Sequence, residues 1–295
     1  MNWNSEPLFL RRLGKSGFFS GILAVAALCG CATVSSLSMR KETAGRIGAV
    51  AGMHMYVIAA GIFNLTTWAR VQKPGAPVDI YIEGDGLAWI NKYTKSLNPT
   101  PPDPMALRLA AEDPAPNVIY MARPCQYTGW NGTGSCPDVY WTSGVAAPEV
   151  IAAYQQALDG IKAHYHVTGF NLIGYSGGAA IAVLVAARRS DVLSIRTVAG
   201  NTDYAVFTAI HDVSPLKDSI DPASAAEKVA RIPQRHFIGG EDTVVPAAIF
   251  DGWKKSSGAY ACVHETVVKG NSHEKGWVKA WRSLLAMTLS CHAAP

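Results

Sequence analysis

Gly169-Phe170-Asn171-Leu172-Ile173-Gly174-Tyr175-Ser176-Gly177-Gly178-Ala179-Ala180-Ile181-Ala182 is the stretch on which the reading of this chain turns. Residues 169–173 read as a buried strand, and 179–188 are small, apolar and helical. Between them lies G-x-S-x-G, the sharp strand-to-helix turn that exposes a serine hydroxyl. The glycines have a physical reason. Ser176 must adopt a backbone conformation that side chains disfavour, and only small neighbours let strand and helix come so close. The turn lifts the hydroxyl out of the sheet and aims the first N–H groups of the helix at whatever that hydroxyl attacks.

Outward from this turn, strand and helix alternate. Strands are expected at 78–82, 117–122, 195–199, 235–238 and 263–268, and helices at 105–111, 148–164 and 275–290. Upstream, 47–65 is apolar enough to suggest a membrane span, but Gly52, His54, Gly61 and Asn64 interrupt it. It is read instead as the end of a short helix and two strands, 56–59 and 63–71, joined near Gly61. Such alternation predicts an α/β fold: a mostly parallel central sheet of about eight strands flanked by helices. The stretch 201–232 is too long for a simple connection and is broken by Pro215 and Pro222. A small helical, cap-like insertion after the sixth strand is expected there, over the strand ends where ligands bind in open α/β sheets.

A serine hydroxyl is a weak nucleophile and needs a base. His273, in Gly270-Asn271-Ser272-His273-Glu274, follows the 263–268 strand in a loop from which an imidazole can reach Ser176. The other histidines are placed less well. His236 and His264 lie in strands, His164 and His166 end a helix, His54 precedes the candidate site, and His292 is in the tail. His211 falls in the insertion, where it could touch substrate. The acid should lie between Ser176 and His273, after a strand. Asp242, in Gly239-Gly240-Glu241-Asp242-Thr243-Val244-Val245-Pro246, meets that condition, with Glu241 and the more distant Asp203 as rivals. Its role would be to hold the imidazole tautomer and stabilise the imidazolium. One oxyanion donor should be the N–H of Gly177. The second should come from the turn Glu83-Gly84-Asp85-Gly86, with Asp85 favoured over Gly86. A carboxylate at Asp85 would oppose a developing oxyanion unless it is paired or turned away.

The N-terminus reads as an address. Arg11, Arg12 and Lys15 precede an apolar run, 18–28, which ends in Leu28-Cys29-Gly30-Cys31. This resembles a bacterial lipobox, which implies a signal peptide over 1–30 and a lipid (palmitate among its acyl groups) on Cys31. Residues 31–55 would then be a lipid-anchored linker with a short helix, and 56–295 the folded domain. The expected location is the cell envelope, facing the periplasm. Ala32 carries no Asp retention signal, which favours the outer membrane. Four further cysteines allow three pairings. Cys125–Cys136, across a Gly-rich loop, and Cys262–Cys291, across a late strand and the last helix, fit loop closure and an oxidising compartment; four free thiols are the alternative.

The chain has 26 Lys plus Arg against 22 Asp plus Glu, a formal charge of +4 over 295 residues. That is no basic footprint for nucleic acid, which is not expected as a partner. No Cys/His group has zinc-finger spacing, and the sequence is silent on oligomeric state.

Taken together, Gly174-Tyr175-Ser176-Gly177-Gly178, Gly240-Glu241-Asp242-Thr243-Val244-Val245-Pro246 and Asn271-Ser272-His273 resemble the α/β-hydrolase superfamily, over roughly 56–289. The resemblance implies a Ser176-His273-Asp242 triad, a covalent acyl-enzyme, a small-molecule acyl substrate and no cofactor. The chain departs from the family at Glu83-Gly84, where many members have His-Gly. The expected activity is a serine hydrolase, carboxylic esters first. Amide, peptide or thioester hydrolysis on the same triad, or a non-catalytic envelope lipoprotein, remain open from the sequence.

Overall fold

A computed structural model describes residues 35–127, 136–258 and 262–291. The signal peptide, Cys31, His292 and the Gly-rich loop around Trp130 lie outside the described residues. A helix α1 (Leu37–Val50) leads into the hairpin β1 (His54–Ala60) and β2 (Phe63–Val71), turned at Gly61 with φ +59°. Then follow β3 (Val78–Ile82), a small hairpin β4 (Trp89–Asn91) and β5 (Thr94–Lys95), α2 (Met105–Glu112) and β6 (Asn117–Met121). The second half runs α3 (Pro148–Tyr165), β7 (Phe170–Tyr175), α4 (Gly177–Ala186), β8 (Val192–Val198), α5 (Tyr204–His211) and α6 (Ala226–Val229). It closes with β9 (Gln234–Gly239), α7 (Ala247–Ser257), β10 (Val263–Val268) and α8 (Trp277–Leu285). None of the described helices is long and apolar enough to cross a membrane.

Eight strands form one sheet in the order β1-β2-β6-β3-β7-β8-β9-β10. β2 pairs antiparallel with both of its neighbours, and every other pairing is parallel. This is the expected mostly parallel sheet. The hairpin β4–β5 was not expected: its two-sided exposure gives no apolar alternation to read. The insertion after β8 contains α5, a 3-10 turn at Pro222–Ala225 and α6. The last helix is shorter than its sequence pattern, starting at Trp277 after Gly276 and ending at Leu285.

Side chains alternate across the sheet, as strand geometry requires. On β3, Val78, Ile80 and Ile82 join one core with α3, α4 and α7, while Tyr81 joins the other with α1, α2 and α8. β7 repeats this, with Phe170 and Leu172 on the first face and Ile173 and Tyr175 on the second. Helix α4 is buried at every position, which explains its lack of any polar residue. Two disulfides, Cys125–Cys136 and Cys262–Cys291, close the loop after β6 and tie the start of β10 to the chain beyond α8.

The tightest approach is between α4 and the end of β3. A Cβ on Gly178 would fall 2.5 Å from the Glu83 carbonyl oxygen and into that of Ile82. Backbone cannot yield there as a side chain can. Gly178→Ala should therefore cost about 1–3 kcal/mol, whereas Gly160→Ala, with open space at an exposed position on α3, should gain about 0.4–1 kcal/mol. Urea unfolding of both variants checks the contrast.

Candidate active site

The candidate residues all follow strands at their carboxyl ends: Asp85 after β3, Ser176 after β7, Asp242 after β9 and His273 after β10. In a parallel sheet those ends share one rim. β3 continues by way of α2 toward β6 on one side, while β7 continues by way of α4 toward β8 on the other, so the chain diverges between them. Such a switch point leaves a crevice in open α/β sheets.

Ser176 has φ +50° and ψ −122°, a conformation that costs a non-glycine residue of order 1–3 kcal/mol. The surroundings hold it there. Its N–H donates to Val198 O at 3.0 Å, and its carbonyl accepts from Ala179 and Asn201 N–H, both at 3.0 Å. A Cβ at Gly174 would lie 2.5 Å from the α carbon of Ala179, so strand and helix can pack this closely only with glycine.

The Ser176 hydroxyl donates to His273 Nε2 at 3.0 Å, and His273 Nδ1–H donates to Asp242 Oδ2 at 2.9 Å. The tautomer follows from this network, since only a protonated Nδ1 can donate to a carboxylate. Asp242 has a fully buried side chain. Its second oxygen, Oδ1, accepts from Val244 N–H at 2.9 Å and Val245 N–H at 2.8 Å. One oxygen thus fixes its own loop and the other fixes the ring.

The loop bearing His273 is anchored by groups whose role the sequence did not reveal. Tyr175 Oη donates to the His273 carbonyl at 3.2 Å, and Trp277 Nε1 to the same oxygen at 2.9 Å. Glu241 N–H donates to Asn271 O at 2.9 Å and Gly240 N–H to Val268 O at 2.9 Å, joining the acid loop to the histidine loop.

Both rivals for the acid are placed elsewhere. The Glu241 side chain points to solvent. Asp203 caps α5 by accepting from Val206 N–H at 2.9 Å, and it packs against Gly252 of α7. Three other described histidines have different partners. His236 is buried between Thr197 and Gln234, and burial pushes its pKa down to about 3. His264 meets the carbonyl of Ser290 at 2.8 Å. His211 donates to Val244 O at 2.7 Å, bringing α5 onto the acid loop.

The turn after β3 lies directly over Ser176. A Cβ at Gly84 would be 3.2 Å from Ser176 Cβ, and one at Gly177 would be 2.6 Å from Asp85 Cγ. Neither the Asp85 N–H nor the Gly177 N–H is taken by another described group. The Asp85 carboxylate is paired, its Oδ1 accepting from Arg123 Nη1 at 3.0 Å. Glu83 is buried and braces the turn. Its Oε1 accepts from Gly84 N–H at 3.0 Å and from Ala106 N–H at the start of α2 at 3.3 Å. Gln126 Nε2 adds a bond to Gly84 O at 3.0 Å. Of the aromatics near the Gly-rich loop, Trp141 is buried, and Tyr140 packs edge-on against Phe63 with centroids 4.8 Å apart. Among the described residues, no group of three or more His, Cys, Asp or Glu could hold a metal ion.

No protein-family model and no curated protein matches this chain. Solved structures do. A serine hydrolase homologue from Coxiella burnetii superposes with TM-score 0.52 at 16% identity, over 78% of this chain and 93% of that one. A putative hydrolase from Bacillus subtilis gives 0.56 at 10%, over 85% and 99%. An esterase from Pyrococcus furiosus gives 0.57 at 13%, over 80% and 90%.

Burial pushes the Glu83 carboxyl from its ordinary 4.5 up to about 7, against hydrogen bonds, those from Gly84 and Ala106 N–H first among them, that favour its charge. Below 4.5 the folded and unfolded chains are both protonated. Between 4.5 and 7 only the unfolded chain loses its proton, so stability falls as pH rises through this window and the loss is complete above it. Asp79, raised by burial to about 7, contributes in the same sense. His236, held neutral by burial, acts in the opposite sense below about 6.5, where only the unfolded ring gains a proton. Urea unfolding of wild type and Glu83→Gln between pH 5 and 8 should therefore show the stability difference between them shifting against wild type as pH rises, since Asp79 and His236 act alike in both.

This chain has the α/β-hydrolase fold, with the eight-stranded sheet and flanking helices of those neighbours.

Proposed function

We propose that the protein is a serine hydrolase acting on carboxylic esters, with Ser176, His273 and Asp242 as its catalytic triad. The observation that carries this is the unbroken hydrogen-bonded line from the Ser176 hydroxyl through the His273 ring to Asp242. Three loops separated by 66 and 31 residues meet in it. The hydrolase and esterase names of similarly folded structures add support at the level of fold.

In this reading Ser176 Oγ bonds to the ester carbonyl carbon as its proton passes to His273 Nε2. The carbonyl oxygen takes up the negative charge and accepts from the N–H groups of Gly177 and Asp85. Asp242 supports the imidazolium without taking its proton. Collapse of the tetrahedral species breaks the bond to the leaving alcohol, which takes the proton from His273. Water then attacks the acyl-enzyme, with His273 again receiving the proton. Esters are preferred because their leaving groups need less help from the acid, and nothing in the chain reads as a peptide-binding feature.

The chain is further proposed to be tethered to the bacterial envelope through lipidated Cys31. The cationic start, apolar run and Gly30-Cys31 exit support this. Two disulfides suit an oxidising compartment. Cys31→Ser should abolish incorporation of labelled palmitate and release the protein from the membrane fraction. Retained label at an unchanged position would sink the tether.

A fluorophosphonate probe should label Ser176 in the folded protein, and Ser176→Ala should remove the label. Turnover of p-nitrophenyl esters should fall about 10³-fold or more in that variant. Folded wild-type protein that neither takes the probe nor hydrolyses any ester, amide or thioester would overturn the enzyme reading.

A further inference from the structure

The oxyanion site proposed above carries an electrostatic conflict. One of its two amides belongs to an aspartate, whose carboxylate lies against the bare α carbon of Gly177, the residue that supplies the other amide. An anion there opposes the negative charge that must form between those amides. We propose that Arg123 is the positioning residue that removes this conflict. It holds the Asp85 carboxylate in a fixed ion pair, so that the turn can present its N–H without its charge. The proposal rests on the serine hydrolase reading.

Four observations point to this. Arg123 is the only cation in ion-pair contact with Asp85 among the described residues, and Asp85 the only carboxylate in such contact with Arg123. The Arg123 side chain is 3% exposed while that of Asp85 is 37% exposed, so the cation is sequestered and the anion is reached by solvent. A buried guanidinium bears a desolvation cost, and its carboxylate partner offsets part of it. The guanidinium is also aimed, because its other terminal nitrogen, Nη2, donates to the Val145 carbonyl.

The segment bearing Arg123 is itself fixed to the same turn. Arg123 N–H donates to Gln126 Oε1 at 3.0 Å, and the amide nitrogen of that Gln126 reaches Gly84 O at 3.0 Å. Cys125, between them, is bonded to Cys136. A Cβ at Gly86, where φ is +65°, would run into Pro99 O and come within 2.8 Å of Gln126 Nε2. Turn and brace are thus packed against each other on both sides of Asp85, which fixes the backbone that presents its N–H.

The test compares Arg123→Gln, Arg123→Lys and the double variant Arg123→Gln/Asp85→Asn in the full chain, each checked for folding by circular dichroism. Arg123→Gln should lower kcat for p-nitrophenyl acetate by roughly 10- to 100-fold, with KM changed much less, because the unpaired charge acts against the transition state. Adding Asp85→Asn should restore most of that loss. Arg123→Lys, which keeps a cation, should stay within roughly fivefold of wild type. A structural role would predict no rescue, so equal impairment of the single and double variants overturns the proposal, as does a folded Arg123→Gln with wild-type kcat. If Arg123→Gln does not fold, Arg123→Lys decides: a tenfold or larger loss of kcat in folded Lys variant overturns it, and retained kcat supports it. Probe labelling of wild-type Ser176 separates the two levels. Absence of labelling removes the hydrolase reading and this inference together, while labelling without rescue removes this inference alone.

Discussion

Everything at the rim depends on one backbone conformation, the positive φ of Ser176 between β7 and α4. It is uphill for a serine and exists because the surroundings determine it from all sides. Val198 and Asn201 on one flank and Ala179 on the other hold its peptide groups. Gly174 and Gly178 let α4 press onto β7 and onto the end of β3. The wholly buried α4 supplies the packing that offsets the strain. Without that conformation the hydroxyl would not stand clear of the sheet, nor would the first amide of α4 face the space beside it.

The remaining groups reach Ser176 because a parallel sheet brings its loops to one edge. β9 and β10 are neighbours, so Asp242 and His273 emerge side by side and their loops share main-chain hydrogen bonds. β3 borders β7, so the turn holding Asp85 overhangs Ser176. The site is built from pairs of adjacent strand ends, and its distances are set by strand spacing more than by any flexible loop.

Three carboxylates at this rim are handled in three ways. Asp242 is buried, with two backbone N–H groups on one oxygen and an imidazole on the other. Asp85 is partly exposed and paired with a buried guanidinium. Glu83 is buried with N–H partners and, among the described residues, no cation in ion-pair contact, and its pKa rises. Glu83 shows the physics of burying a charge: desolvation outweighs its N–H bonds and favours the protonated form.

The sequence by itself determined the alternation of strand and helix, the place of the Ser176 turn, and the order of serine, acid and histidine. Those features are local: a run of apolar residues, three glycines around one serine, a loop after each strand. It also favoured the pairing of the four cysteines that the structure has, and it singled out Asp242, whose carboxylate meets the His273 ring. Only the tertiary structure decided which groups brace the site. Arg123 lies 38 residues from Asp85, and Tyr175 and Trp277 hold His273 by its carbonyl oxygen. Nothing in the residues next to Arg123 shows what its guanidinium meets, because the strand order, set by crossover connections, brings the end of β6 beside that of β3. The hairpin β4–β5 escaped notice for a related reason: with most of its side chains exposed, it has no buried face to leave a period in the sequence.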